Sequence, residues 1–257
     1  MLVLLDIDGT LLNSNHKIEA DTIDTISIYN DTNRFILCSA RKPSSTNLIA
    51  KQLNIKEKII ICYNGALIMD GEKKIFERPL SAEGVAHILE LAQEHNLSIN
   101  IYSNDVWIVN ELNNSVLSEV RIVGEKPFEI NDFSNVINLV IHKILLLGND
   151  AKLDLIKNEL NTIDNITFCN SKEGYLEITS CQASKKKAFD YLLQYLSVNV
   201  RDSLAIGDGY NDLELLQRVR IGIAMDNAPI EVKKIAEYIT LSNDNNGVAL
   251  ALKKFLR

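Results

Sequence analysis

The sequence predicts an α/β fold: a doubly wound, mostly parallel sheet interrupted by an inserted α+β domain. Three observations carry that expectation. Short β-rich apolar runs without alternation recur, as strands covered on both faces require. Helix-like segments fall between them, the alternation of an open α/β sheet. One long stretch breaks the pattern, with alternating runs and turn residues typical of strands that keep one face exposed.

In chain order, the first run is "LVLL" before Asp6, followed by a helix-like segment at 19–30 with Ile23 and Ile26 on its apolar side. "RFILC" precedes Ser39, and a second helix-like segment follows at 44–53. "KIIIC" runs into Tyr63, Asn64 and Gly65. The divergent stretch holds strand-like "SINIYS" and "VWIVN", an apolar "HKILLLG", a helix-like "DAKLDLIKNELN", then "ITFCNS" and "YLEITS". After it come a helix-like segment at 186–197, "SLAI" before Gly207 and Asp208, a helix-like segment at 211–219, and "IGIAM" before Asp226. The polar joints "ERPLSAEG" and "TSCQASK" put the boundaries at 1–79 for the first part of the core, 80–183 for the insertion and 184–257 for the rest of the core.

The chain of 257 residues, 46% hydrophobic and 24% charged, reads as an ordinary globular protein. A net charge of −7 leaves no basic surplus for a nucleic-acid backbone or an anionic membrane. The four cysteines, Cys38, Cys62, Cys169 and Cys181, have no CxxC spacing and read as buried free thiols of a reducing compartment. The first apolar run is broken by Asp6 and has no basic leader, so a cytoplasmic location is expected. The four histidines are isolated in sequence and make no zinc spacing.

Ligands of open α/β sheets bind beyond the carboxyl ends of the strands. Asp6, Asp8, Ser39, Asn64, Asp208 and Asp212 all follow such runs, so the predicted sheet gathers them in one crevice. Two carboxylates about 4 Å apart repel by roughly 4 kcal/mol at an effective dielectric near 20, so the cluster needs a countercharge. A divalent cation with oxygen ligands, Mg²⁺, fits that need and would also bridge to a substrate phosphate. One Asp then has the chemistry of a nucleophile and the other of a general acid and base. A DxDG by itself is equally readable as an acidic loop end.

Ser39 reads as a turn residue or as a hydroxyl donor to phosphate, and Arg41 as a surface cation that is able to meet an anion. Three lysines in the first turn of "ASKKKAFDYLLQYL" oppose the helix dipole; Lys185, directly after a Ser184 cap, is the one with a reason to reach the crevice. In "GDGYND", Asn211 or Asp212 is placed to cap the next helix, which leaves Asp208 unexplained unless it binds metal.

Seven motifs in order, DIDGTLL at 6–12, CSAR at 38–41, NGA at 64–66, Lys185 in ASKKKA, GDGYND at 207–212, GIAMDNA and NDNNGVA, resemble the haloacid dehalogenase superfamily. More narrowly, the chain is similar to the Cof-type, subfamily IIB phosphatases, whose α/β cap is inserted after the third core strand. The resemblance implies Asp6 as nucleophile and Asp8 as general acid/base. It implies Mg²⁺ held by the Asp6 carboxylate, the Asp8 carbonyl and Asp208, with Asp212 in support. Ser39 and the adjoining Ala40 fall in the phosphate-binding segment, Lys185 neutralises charge, and Asn211 positions phosphate or Lys185. Asn64 and Gly65 lie where the family lines the site beneath the cap.

Ala40, Lys186 and Asp226 stand where the family commonly has glycine; Ala40 is tolerated only with negative φ or with strain. The expected function is Mg²⁺-dependent hydrolysis of small phosphomonoesters, sugar phosphates among them, with no nucleic-acid, membrane or obligate protein partner. A phosphotransferase or mutase using the same intermediate, and a phosphate-binding or signalling module without turnover, are the other two readings.

Overall fold

The computed structural model describes residues 1–123, 125–130, 132–133 and 136–256. It divides into two compact units, one formed by Met1–Phe76 with Ser184–Arg257 and the other by Glu77–Ala183.

In the first unit, β1 (Leu2–Leu5), α1 (Ala20–Tyr29), β2 (Arg34–Cys38), α2 (Pro43–Gln52) and β3 (Ile59–Cys62) alternate, and β4 (Leu67–Asp70) and β5 (Lys73–Glu77) form an edge hairpin. The second unit contains α3 (Ala82–Glu94), β6 (Ser98–Ser103), β7 (Val106–Val109), α4 (Asn114–Val123), β8 (Phe128–Glu129), β9 (Lys143–Leu147), α5 (Asp150–Leu160), β10 (Ile166–Lys172) and β11 (Tyr175–Ser180). The chain then returns to the first unit with α6 (Lys185–Tyr195), β12 (Ser203–Gly207), α7 (Leu213–Arg218), β13 (Ile221–Ala224), α8 (Ile230–Ile235), β14 (Tyr238–Ile239) and α9 (Gly247–Phe255).

The eight strands of the first unit run β14-β13-β12-β1-β2-β3-β4-β5. Its six strands from β14 to β3 pair in parallel, and β4 turns back antiparallel on β3. Burial on both faces explains the unbroken apolar runs. Val3 and Leu5 of β1 face one core with Ile26 of α1, Ile49 of α2 and Val248 of α9. Leu2 and Leu4 face the opposite core with Phe189 of α6, Leu215 of α7 and Val232 of α8. Strand β1 is central, so the residue after it leaves the sheet at its most buried point.

In the second unit the order is β10-β11-β9-β6-β7-β8, and one sheet face packs on α3 and α5 through Ile99, Ile144, Leu176, Ile88 and Ile156. The other face carries Asn100, Tyr102, Trp107, Lys143 and Glu177. Trp107 donates its indole N–H to Asn100 Oδ1 at 3.0 Å and stacks on Tyr102 at 5.9 Å between ring centres.

Sequence periodicity overlooks α3, although Ser81 caps it, accepting from Gly84 N–H at 3.1 Å, and Val85, Ile88, Leu89 and Ala92 line its buried side. The edge hairpin, α4, α8 and α9 are likewise unassigned by periodicity. The expected helix at 211–219 is divided into a 3₁₀ turn at Tyr210–Asp212 and α7. All four cysteines are free, but Cys169 is exposed on the edge strand β10, unlike the buried Cys38 and Cys62. Among the described residues, no helix is long and apolar enough to cross a membrane.

Candidate active site

The carboxyl ends of β1, β2, β3 and β12 in the first unit, together with the first turn of α6, supply the side chains of the site. Asp6 follows β1 directly, and its backbone N–H donates to Ile206 O of β12 at 3.0 Å, which fixes its place on the sheet. It is 7% exposed. Lys185, the first residue of α6 and 1% exposed, donates to Asp6 Oδ1 and to Asp212 Oδ1, each at 2.6 Å. Ser184 caps that helix by accepting from Lys187 N–H at 3.2 Å, so Lys185 enters the helix at the turn whose dipole disfavours a cation. Two carboxylates compensate for it.

Asp212 does not cap α7 with its side chain. Its Oδ2 instead accepts from the backbone N–H groups of Asp208 at 3.1 Å and Gly209 at 2.9 Å, closing the 207–212 turn around itself. Asp208 Oδ1 accepts from the Thr10 hydroxyl at 2.7 Å. Gly9 has φ +82°, and a Cβ there would lie 2.3 Å from Asp208 Oδ2, so only glycine lets the turn after Asp8 lie against Asp208.

Asp8, with its side chain half exposed, accepts from Arg41 at both oxygens: Nε to Oδ2 at 2.8 Å and a terminal nitrogen to Oδ1 at 2.6 Å. This fork is the strongest form of guanidinium–carboxylate contact. Arg41 is thus a site residue, where its sequence context read mainly as surface. Ser39 is buried, and its Oγ accepts from Arg41 N–H at 3.1 Å. Its backbone carbonyl accepts from Asn64 N–H at 2.9 Å, tying the ends of β2 and β3 together. Asn211 Nδ2 donates to Asn64 Oδ1 at 2.9 Å, so these two amides meet from opposite ends of the sequence.

Tyr63 and Asn64 both have φ +54° and Gly65 has φ +97°, an unusual left-handed run that turns the chain sharply after β3. A Cβ on Gly65 would lie 2.2 Å from Ser184 O, so this glycine admits the start of α6 and with it Lys185. Ala40 is not among the residues with positive φ, so alanine there carries no left-handed strain. The other two replacements are balanced locally: Lys186 pairs with Asp190 at 3.2 Å and Asp226 with Lys233 at 3.0 Å. Thr10 and Asn227 also touch Asp208, and neither was singled out by spacing, although both lie inside recognised motifs.

The family model for haloacid dehalogenase-like hydrolases matches residues 3–252. The chain belongs to that family. A putative phosphatase of Haemophilus influenzae is 30% identical to this hydrolase over 256 residues, 98% of this chain and 97% of the relative. A Bacillus subtilis relative named 5-amino-6-(5-phospho-D-ribitylamino)uracil phosphatase is 27% identical over 262 residues, 99% of this chain and 95% of the relative. The solved structure of a haloacid dehalogenase-like hydrolase from Bacteroides thetaiotaomicron superimposes with a TM-score of 0.92 at 32% identity, covering 99% of each chain.

The hydrolase has a donor set suited to a hard cation. Carboxylate oxygens of Asp6, Asp208 and Asp212 lie within 4.8 Å of one another, and Lys185 donates to two of these three acids. Oxygen-only ligands of this kind are what Mg²⁺ accepts. Asp212 already accepts three hydrogen bonds, which leaves Asp6 and Asp208 as the carboxylates fitted to hold the ion.

The electrostatics show the same shortage of positive charge. Burial pushes Asp6 well above the ordinary carboxylate range; Lys185 opposes the shift, and the charges of Asp212 and Asp208 add to it. Burial also raises Asp208, to about 6, against the Thr10 hydrogen bond that lowers it. Burial alone would lower Lys185, but Asp212 and Asp6 outweigh it and hold the lysine well above its usual value.

Because Asp208 binds its proton more tightly in the fold than in an unfolded chain, its contribution to metal-free stability falls as pH rises from 3.8 to about 6. Metal needs the ionised form. Divalent-cation affinity at this site is therefore expected to rise with pH, by up to about tenfold per pH unit below 6 where Asp208 ionises, and the raised Asp6 extends the dependence above that range. Calorimetric titration between pH 5 and 8 measures this, and an affinity that stays constant across that range contradicts it.

Proposed function

We propose that this protein is a Mg²⁺-dependent phosphomonoester hydrolase of small phosphometabolites, sugar phosphates in particular, acting through an aspartyl-phosphate on Asp6. The observation that carries the reading is the buried Asp6 carboxylate, held by Lys185 at 2.6 Å beside Asp208 and Asp212. A carboxylate so fixed needs no reorganisation to attack.

Asp6 and Asp208 would hold Mg²⁺, with the Asp8 carbonyl as the further ligand implied by the family. When bound, the ion supplies the positive charge that lets a carboxylate approach a phosphate dianion. In the first step an Asp6 oxygen bonds to phosphorus as the ester P–O bond breaks, and the Asp8 carboxylic acid gives its proton to the departing alkoxide. In the second, the Asp8 carboxylate takes a proton from water. The resulting hydroxide bonds to phosphorus, and the bond to Asp6 breaks. Inorganic phosphate leaves, and Asp6 and the protonated Asp8 are restored.

The Arg41 fork bears on the proton that Asp8 must carry. Both Asp8 oxygens accept from the guanidinium, so Arg41 lies against the group that must move the proton. A substrate phosphate is the competing acceptor for Arg41. Ser39 Oγ already accepts from Arg41 N–H, leaving its own proton to donate to a phosphate oxygen. Support for a polyol phosphate as substrate comes from the Bacillus subtilis relative, whose name places its phosphate on a ribityl chain.

The experiment is phosphate release from a generic aryl phosphate and a panel of phosphometabolites. Turnover is expected with Mg²⁺ and none after chelation. Binding of phosphate esters without any release overturns the hydrolase in favour of a binding module. Transfer to an added sugar hydroxyl in place of release identifies a phosphotransferase.

A further inference from the structure

The turn at 9–12 lies between Asp8 and the rest of the fold, and two asparagines from the far end of the chain hold it. Asn227 follows β13, at the same sheet edge as Asp6 and Asp208, and its Nδ2 donates to Gly9 O at 2.8 Å. Asn243, in the turn before α9, donates its Nδ2 to Leu12 O at 2.9 Å. These are the MDNA and NDNN segments, to which the hydrolytic steps assign no part.

The two amides are also linked to each other. Asn243 N–H donates to Asn227 Oδ1 at 3.1 Å, which fixes the orientation of the Asn227 side chain and turns its NH₂ end toward Gly9 O. That same NH₂ lies 3.4 Å from Asp208 Oδ2, while the other Asp208 oxygen accepts from Thr10, itself on the turn. The closeness of Gly9 to Asp208 means that a shift of the turn is felt at the carboxylate.

We infer that Asn227 is a positioning residue for the metal site: its amide ties the carbonyl of Gly9 to the Asp208 carboxylate, with Asn243 setting the amide's orientation. The inference rests on the metal-dependent reading above. Asn227 is exposed, and its partners Gly9, Asp208 and Asn243 are only partly buried, so its removal is expected to cost the fold little. Its effect is expected at the metal, because groups that orient a ligand set affinity through the ligand.

The test is Asn227→Ala in the full chain, with Mg²⁺ affinity measured calorimetrically and Tm measured in chelator. Affinity is expected to fall about tenfold. The metal-free Tm should stay within about a degree of wild type, and turnover should recover as Mg²⁺ is raised to saturation. An affinity within twofold of wild type overturns the inference, as does a metal-free Tm that falls substantially, which makes Asn227 part of the fold instead. A wild-type protein that binds no Mg²⁺ overturns the metal-dependent reading itself.

Discussion

Asp6→Asn is expected to lower kcat by about 10⁴-fold or more while leaving the fold intact, because the amide keeps the shape of the carboxylate but not its nucleophilic oxygen. The electrostatics add a second expectation. Burial, with Asp212 and Asp208, holds Asp6 above its ordinary range despite Lys185, so its ionised form is net unfavourable in the metal-free fold. The raised value means that this carboxyl's contribution to stability is lost as pH rises, and a neutral amide avoids that loss. The variant still gives up one of the two Lys185 contacts, so its melting temperature in chelator near pH 7 should fall by less than that of Lys185→Met. Turnover within tenfold of wild type would sink the aspartyl-phosphate mechanism, and a fall as large as that of Lys185→Met would show that the Lys185 contact outweighs burial.

Lys185→Met should have the largest effect on stability. Its ammonium bridges Asp6 and Asp212 with no exposed side-chain surface, and removing one partner of a buried ion pair costs about 3–5 kcal/mol. The sign follows from the raised lysine value: the stabilisation is present across neutral pH and is lost only as pH rises beyond the ordinary lysine range. Urea unfolding at pH 7 should show that loss, together with near-complete loss of turnover. A destabilisation under about 1 kcal/mol would mean that the carboxylates left behind relax toward water instead.

Much of this site is legible in the sequence. Asp6 and Asp208 follow apolar runs that only a doubly covered strand explains, and parallel strands bring their carboxyl ends to one edge. Lys185 was marked by its poor fit to a helix N-terminus. Arg41 was less legible because nothing local distinguishes a surface arginine from one that spans 33 residues of sequence to fork onto Asp8. Asp212 looked like a helix cap, and its actual bonds run backward to the Asp208 and Gly209 amides. Helix α3 escapes assignment although its apolar spacing is regular, while the short hairpin strands and the six-residue α8 carry too few residues for periodicity to separate them from loops.

By itself the sequence determined the alternation of strands and helices and which acids follow the strands and which lysine opens a helix, because each is written in local pattern. Tertiary structure alone decided which of those charges meet. Lys185 touches Asp6 across 179 positions and Asp212 across 27, Asn211 meets Asn64 across 147, and Asn227 reaches Gly9 across 218. Such pairings depend on strand order and on the close approaches that Gly9 and Gly65 permit, neither of which leaves a periodic mark in the chain.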